Sequence, residues 1–217
     1  MQGRNLADAA KEAGVEHLIW STLPYVSKVT NGKLVKLHHF DSKAMIEEYI
    51  KEVGVPASFV LAGFFMSNLP GSIKLADHGE SYSISMMFKP DTPIPLLNVP
   101  QDYGKFVVAC LAEPEATQGK HILAASGWET PSDICRAVEQ VRGKKCAFNE
   151  IPLDKWPGNE ELFENMLMIR DYAYYGPNEK EAKEGVKQSQ GIVEKLGVYE
   201  GFATFEGMLA GLDAKAK

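Results

Sequence analysis

Apolar positions along this chain alternate between helical spacing and short strand-like runs. Leu6, Ala9, Ala10 and Ala13 recur at i, i+3, i+4 and i+7 with Gly14 following, which predicts an amphipathic helix over residues 4–13. The run Val15 to Trp20 reads as a parallel strand covered on both faces, ending in Ser21 and Thr22. The pattern then repeats. Ile46, Tyr49, Ile50 and Val53 mark one face of a helix from about Ser42 to Val53, Gly54 closes it, and Ser58 to Ala62 read as a second buried strand. Helix, strand, helix, strand predicts an α/β fold with a parallel sheet.

Beyond Asn68, Gly and Pro punctuate shorter segments. Tyr82 to Phe88, Ile94 to Leu97 and His121 to Ala125 are candidate strands. Helices are expected over Gln101 to Leu111, capped near Pro100 to Asp102, over Pro131 to Arg142 behind a Thr130 cap, and over Glu160 to Tyr175. The charged tail from Glu179 gives a weaker pattern, and Lys215 to Lys217 should fray. Two units result: residues 1–68 with the parallel sheet, and residues 69–217 as a smaller α+β lobe, some segments of which return to the sheet.

Composition narrows the function classes. A net charge of −6 with scattered Lys and Arg offers no basic stripe for a phosphate backbone, so direct nucleic-acid binding is not expected. No apolar run approaches the roughly 20 residues that span a bilayer, and the start of the chain is polar rather than signal-like, so a cytoplasmic or nuclear protein without membrane association is expected. Cys110, Cys135 and Cys146 form no C-x-x-C pair, and the five histidines show no metal-ligand spacing; buried thiols and no metal site are expected.

Ligands of open parallel α/β sheets sit beyond the carboxyl ends of the strands. The informative segments are therefore Ser21-Thr22-Leu23-Pro24 and Gly63-Phe64-Phe65-Met66-Ser67-Asn68, which either wall a pocket or simply end strands and pack. Lys43 is a sharper signal. It lies three residues before Ile46 and seven before Ile50, on the buried face near a helix start, where a cation opposes the helix dipole and an unpaired ammonium is costly to desolvate. A bound ribose hydroxyl or phosphate would account for it; otherwise its stem snorkels along the apolar face.

These residues also carry a family resemblance. The stretch from Gly3 to Ser21, then His38-His39-Phe40-Asp41-Ser42-Lys43, Glu47-Glu48-Tyr49, Gly54-Val55-Pro56, Gly63 to Asn68 and Asp102-Tyr103-Gly104-Lys105-Phe106-Val107 resemble, in order and spacing, the NmrA-like proteins, which are atypical short-chain dehydrogenases. The likeness weakens after about Trp156. It implies a Rossmann-type dinucleotide fold that binds NADP(H) or NAD(H), in a family of redox sensors, transcriptional co-regulators and reductases. It also implies that Ser21, Thr22, Lys43, Gly63, Phe64, Phe65 and Asn68 line the nicotinamide end, with Met66 and Tyr172 toward a small carbonyl or quinone-like substrate.

Two departures bear on chemistry. Where dehydrogenating relatives place a Tyr four residues before the helix lysine, this chain has His39, a poor proton donor beside a cation; Lys43 and His39 stand at the catalytic positions, with the lysine kept for the cofactor, and another acid such as Tyr172 would have to substitute for the tyrosine. Leu61-Ala62-Gly63 stands where Arg-Pro-Gly is common. Moreover, no G-x-x-G-x-x-G or G-x-G-x-x-G occurs, so the expectation is a partial Rossmann-type sheet lacking its amino-terminal glycine-rich half, with dinucleotide binding weakened or lost. The first strand would then keep an open edge, covered by a protein partner, by self-association, or not at all if Met1 is an internal methionine of a longer protein. Three roles stay open: an NAD(P)(H)-binding regulator or redox sensor, an oxidoreductase, or a protein-interaction module without enzymatic function.

Overall fold

The computed structural model describes residues 2–76, 78–156 and 158–215. Met1 and two of the three terminal residues expected to fray, at positions 216 and 217, lie outside these. The first helix, α1 (Gln2–Glu12), stops at Gly14, whose φ of +64° is the left-handed turn that a glycine supplies without a Cβ clash. The strand that follows, β1 (Leu18–Thr22), begins three residues later than the apolar pattern suggested. Its first pairing, Leu18 with Ala57, comes only after the turn through Glu16 and His17.

A short helix, α2 (Val26–Val29), leads to α3 (His38–Val53), closed by Gly54 at φ +73°, and then to β2 (Ala57–Ala62), which is buried at every position. Next come β3 (Phe64–Phe65), β4 (Ile73–Leu75), β5 (Tyr82–Met86) and β6 (Ile94–Leu97). A π-type turn over Val99–Tyr103 runs into α4 (Gly104–Ala112), so the expected Gln101 helix divides in two, and its cap is Asn98, whose side chain accepts from the Gln101 N–H. After α5 (Pro114–Thr117), β7 (His121–Ala124) and β8 (Gly127–Glu129) comes α6 (Pro131–Arg142), which starts in the capping box of Thr130 and Asp133. The chain ends through β9 (Cys146–Glu150), α7 (Glu160–Tyr172), α8 (Glu179–Glu194) and α9 (Phe205–Lys215).

Among the described residues the strands form three small sheets. β1, β2 and β7 lie side by side, all parallel, with β2 central; β3 pairs parallel and β8 antiparallel with β6; β4 pairs antiparallel and β9 parallel with β5. The α/β class with a parallel sheet is therefore observed, and β7 returns from the later part of the chain to complete that sheet. The largest apolar cluster draws on both parts of the chain, from Leu23 and Phe40 to Ile134, Met168, Phe205 and Leu209.

The two edges of the parallel sheet differ. On the β7 side, α8 takes the place of a further strand: Ser189 Oγ accepts from the Leu123 N–H at 2.9 Å, and Gln190 donates to the Ala125 and Ser126 carbonyls at 3.0 Å. On the other side, β1 pairs with β2 alone among the described residues, the open edge anticipated from the sequence. This tail, weakly patterned in sequence, is a helix because Ala182, Val186, Ser189 and Val193 share one buried face.

Gly63 is where the main chain leaves one sheet for another. Its N–H donates to Ala124 O at 2.9 Å, extending the β2–β7 ladder, and the next residue already pairs with β6. A Cβ here would lie 2.5 Å from the Pro95 carbonyl oxygen, so only glycine fits. Gly63→Ala should therefore destabilise the fold by about 1–3 kcal/mol. Thermal unfolding followed by circular dichroism checks this, and an unchanged Tm would show that the close approach carries no packing role.

Candidate functional site

The carboxyl ends of β1 and β2 open onto a cavity of about 360 Å³. Its walls come from Ser21 near the end of β1 and Leu23 beyond it, His39, Phe40 and Lys43 on the first turns of α3, Ala62 at the end of β2, and Gly63 to Phe65 with Asn68 beyond it. Val99 and Tyr103 from the π-type turn, Asn165 of α7 and Tyr174 complete it. This is the position that strand polarity assigns to ligands in open α/β sheets.

Six of the residues singled out from sequence as contacts for a dinucleotide share this wall: Ser21, Lys43, Gly63, Phe64, Phe65 and Asn68. Thr22 does not; it is fully buried and its hydroxyl donates to Leu23 O. Met66 also lies elsewhere, 1% exposed within the main core, because the turn after Phe65 points it inward. Tyr172 packs against the same core rather than lining the cavity. The expected helix to Tyr175 stops at Tyr172 because Ala173 and Tyr174 adopt φ of +46° and +63°, and this reversal brings Tyr174 to the cavity instead.

Lys43 is half-buried, and its ammonium donates to Ser21 Oγ at 3.0 Å and to Ser21 O at 3.4 Å. The ion pairs among the described residues give it no carboxylate. Burial pushes its pKa down. His39 also faces the cavity, but its ring is engaged outward: Nδ1 lies 2.6 Å from Glu161 Oε1, which accepts from the His39 backbone N–H at 3.0 Å as well. Those bonds hold Glu161 below the usual carboxylate range. Together with Glu164, which accepts from the Lys36 N–H at 2.6 Å, they fasten α7 across the entrance to α3.

Two polar groups on the wall escaped the sequence reading. The Tyr103 hydroxyl is buried beside Ser21; burial raises its pKa and the Ser21 hydroxyl partly offsets that. Asn165 Oδ1 is buried without a protein partner. In sequence the stretch Asp102 to Val107 carries only a family likeness; that it turns a tyrosine toward Ser21 depends on long-range packing. Among the described residues no group of three or more His, Cys, Asp or Glu is placed to hold a metal ion, and no helix is long and apolar enough to cross a membrane.

The family model described as the NmrA-like family matches residues 1–209. The chain belongs to the NmrA-like family. The nitrogen metabolite repression protein nmr of Neurospora crassa is 30% identical over 159 residues, covering 70% of this chain and 32% of that protein. The NmrA-like oxidoreductase lnaB of Aspergillus flavus is 27% identical over 223 residues, covering 92% of this chain and 66% of its own length. In fold, the chain superposes on the crystal structure of NmrA, a negative transcriptional regulator, in complex with NADP, with a TM-score of 0.80 at 20% identity, covering 99% of this chain and 70% of that one. The NmrA-like match starts at the first residue, so it gives no sign of the absent amino-terminal half expected above, while the chain spans only part of the length of these relatives.

A lysine whose pKa is lowered by folding penalises the folded state while it is protonated. The penalty is present at neutral pH and fades as pH rises toward the ordinary lysine value. Lys43→Met should therefore raise the Tm of the ligand-free chain at pH 7, with a smaller gain near pH 10. A fall in Tm at pH 7 would show that the bonds to Ser21 outweigh the desolvation.

Proposed function

We propose that this chain contributes the nicotinamide end of an NAD(P)(H) site and acts as a nucleotide-dependent regulator or redox sensor. The observation that carries the reading is Lys43, a half-buried ammonium held by a serine rather than a carboxylate on the wall of the cavity. Such a donor set suits ribose hydroxyls or a phosphate, and the apolar walls from Phe64, Phe65 and Val99 suit a flat aromatic ring. When bound, the nicotinamide supplies hydride exchange; Lys43 and Ser21 would hold its ribose. The pyrophosphate would need donors other than a glycine-rich turn, since these 217 residues contain none of the usual glycine spacing.

A regulatory role is favoured over turnover because His39, at the place of the usual acid, is occupied with Glu161. The NADP complex of the structurally similar NmrA regulator supports the same reading. The alternative, an oxidoreductase on a small carbonyl or quinone-like substrate, has support from lnaB and from the buried Tyr103 phenol on the cavity wall.

Calorimetric titration of the folded chain with NADPH and NADP+ tests the proposal. Binding in the micromolar range, about −8 kcal/mol, is expected and should be lost in Lys43→Ala. A cooperatively folded chain that gives no binding heat, or that binds as well without Lys43, rejects it.

A further inference from the structure

We propose that Cys135 and Cys146 form a redox modification site, a thiol pair that a low-molecular-weight disulfide converts to an intramolecular disulfide. The site is separate from the dinucleotide reading: among the described residues its cavity and the one beyond β1 and β2 share no lining residue. All three cysteines are free thiols; Cys110 and Cys135 are buried as expected, whereas Cys146 is partly exposed. Cys135 on α6 and Cys146 at the start of β9 line one cavity of about 330 Å³ together with Ser132, Arg136, Glu139 and Phe148. Within it the two thiols interact side chain to side chain.

Backbone and side-chain bonds hold the pair together. Glu139 lies one turn beyond Cys135 on α6, and its Oε1 accepts from the Cys146 N–H at 3.0 Å, so the first residue of β9 is fixed against the helix face that carries Cys135. Gly143, at φ +66°, turns the chain between helix and strand, and Cys146 pairs with Tyr82 of β5. Arg142 fastens the same corner: its guanidinium lies over the Tyr82 ring and donates to the Asp213 carboxylate at 2.9 and 3.0 Å. Two thiols placed in this way react with one another intramolecularly, far faster than thiols meeting by diffusion. At the same cavity, Arg136 is exposed and bonds Asp133 through Nη1; a guanidinium has further N–H donors, which suit the carboxylate of an anionic disulfide.

One cysteine, as thiolate, attacks a sulfur of the external disulfide: a new S–S bond forms, the external S–S bond breaks, and a small thiolate leaves with its electron pair. The second cysteine then displaces the other small thiolate from the mixed disulfide. The two protons lost by the cysteines pass through solvent to the two departing thiolates. The thiol pair is thereby oxidised by two electrons and the external disulfide reduced to two thiols. Burial pushes both cysteine thiols up, Cys146 to about 12, where Cys135 and Glu139 add to the shift and Arg142 opposes it. The pair therefore rests as thiols at neutral pH and exchanges slowly. Thiolates of high pKa are also poor leaving groups, so the disulfide, once formed, is reduced slowly.

The test uses the full chain, folded and without dinucleotide, equilibrated with oxidised and reduced glutathione in varied ratio, then quenched in acid, alkylated, digested and read by mass spectrometry. At high proportions of the oxidised form, a peptide pair joined through Cys135 and Cys146 is expected, lost again on treatment with dithiothreitol, while Cys110 stays outside the link. Oxidation should also raise the Tm by about 5 °C, because the link closes a short loop of the unfolded chain. Cys135→Ala and Cys146→Ala should each abolish both changes, and the two readings on the unsubstituted chain decide the matter if either variant fails to fold. A folded chain that gives no linked peptide, glutathione carried on single cysteines without the link, a link that forms only in denaturant, or a link that fails to raise the Tm each overturns the proposal. None of these outcomes bears on NADPH binding, which the calorimetric titration decides separately.

Discussion

The parallel pairing of β1 with β2 is the constraint on which the remainder of the structure depends. Because the two strands run in the same direction, Ser21 and Gly63 emerge at one end of the sheet, and the helix between them must return to that end with its first turn. Lys43, on the early turns of α3, is thereby carried to Ser21. The crevice forms because the main chain then parts from the sheet: Gly63 still bonds to β7, Phe64 belongs to β6, and the close approach of the Pro95 carbonyl excludes any side chain at the point of separation. Strand polarity and one glycine thus create the opening, and the polar groups are arranged around it.

The energetics of the site run against simple stability. A half-buried ammonium without a carboxylate, a buried phenol without a completed hydrogen bond and an unpaired amide oxygen on Asn165 share one cavity. Each carries a desolvation cost that a tightly packed apolar wall would avoid. The surrounding structure supplies the compensation, through the buried Asp102 anchor, the clasp of α7 on the loop before α3, and a core that reaches from Leu23 to Leu209. The same logic separates the two edges of the sheet. The β7 edge is closed by hydroxyl and amide groups of α8, whereas β1 pairs with β2 alone among the described residues.

What the sequence determined was local and periodic. The 3.6-residue recurrence in α1 and α3, the left-handed glycines after them, the apolar run of β2 and the Thr130 cap of α6 follow from backbone preferences and the need to bury one face, and each is legible without coordinates. So was Lys43, whose place on an apolar face conflicts with electrostatics unless a ligand pairs its ammonium or its stem snorkels to water. The family likeness rested on these same stretches. Tertiary structure decided the rest, because it turns on contacts between residues far apart in the chain. Helix α8 owes its place to bonds with β7, more than 60 residues earlier. Tyr172 gave way to Tyr174 because two left-handed residues reverse the chain, and Met66 left the pocket for the core. Tyr103 meets Ser21 only because Asp102 is held by Ser126 and Ala203, an arrangement that no local rule of spacing or periodicity encodes.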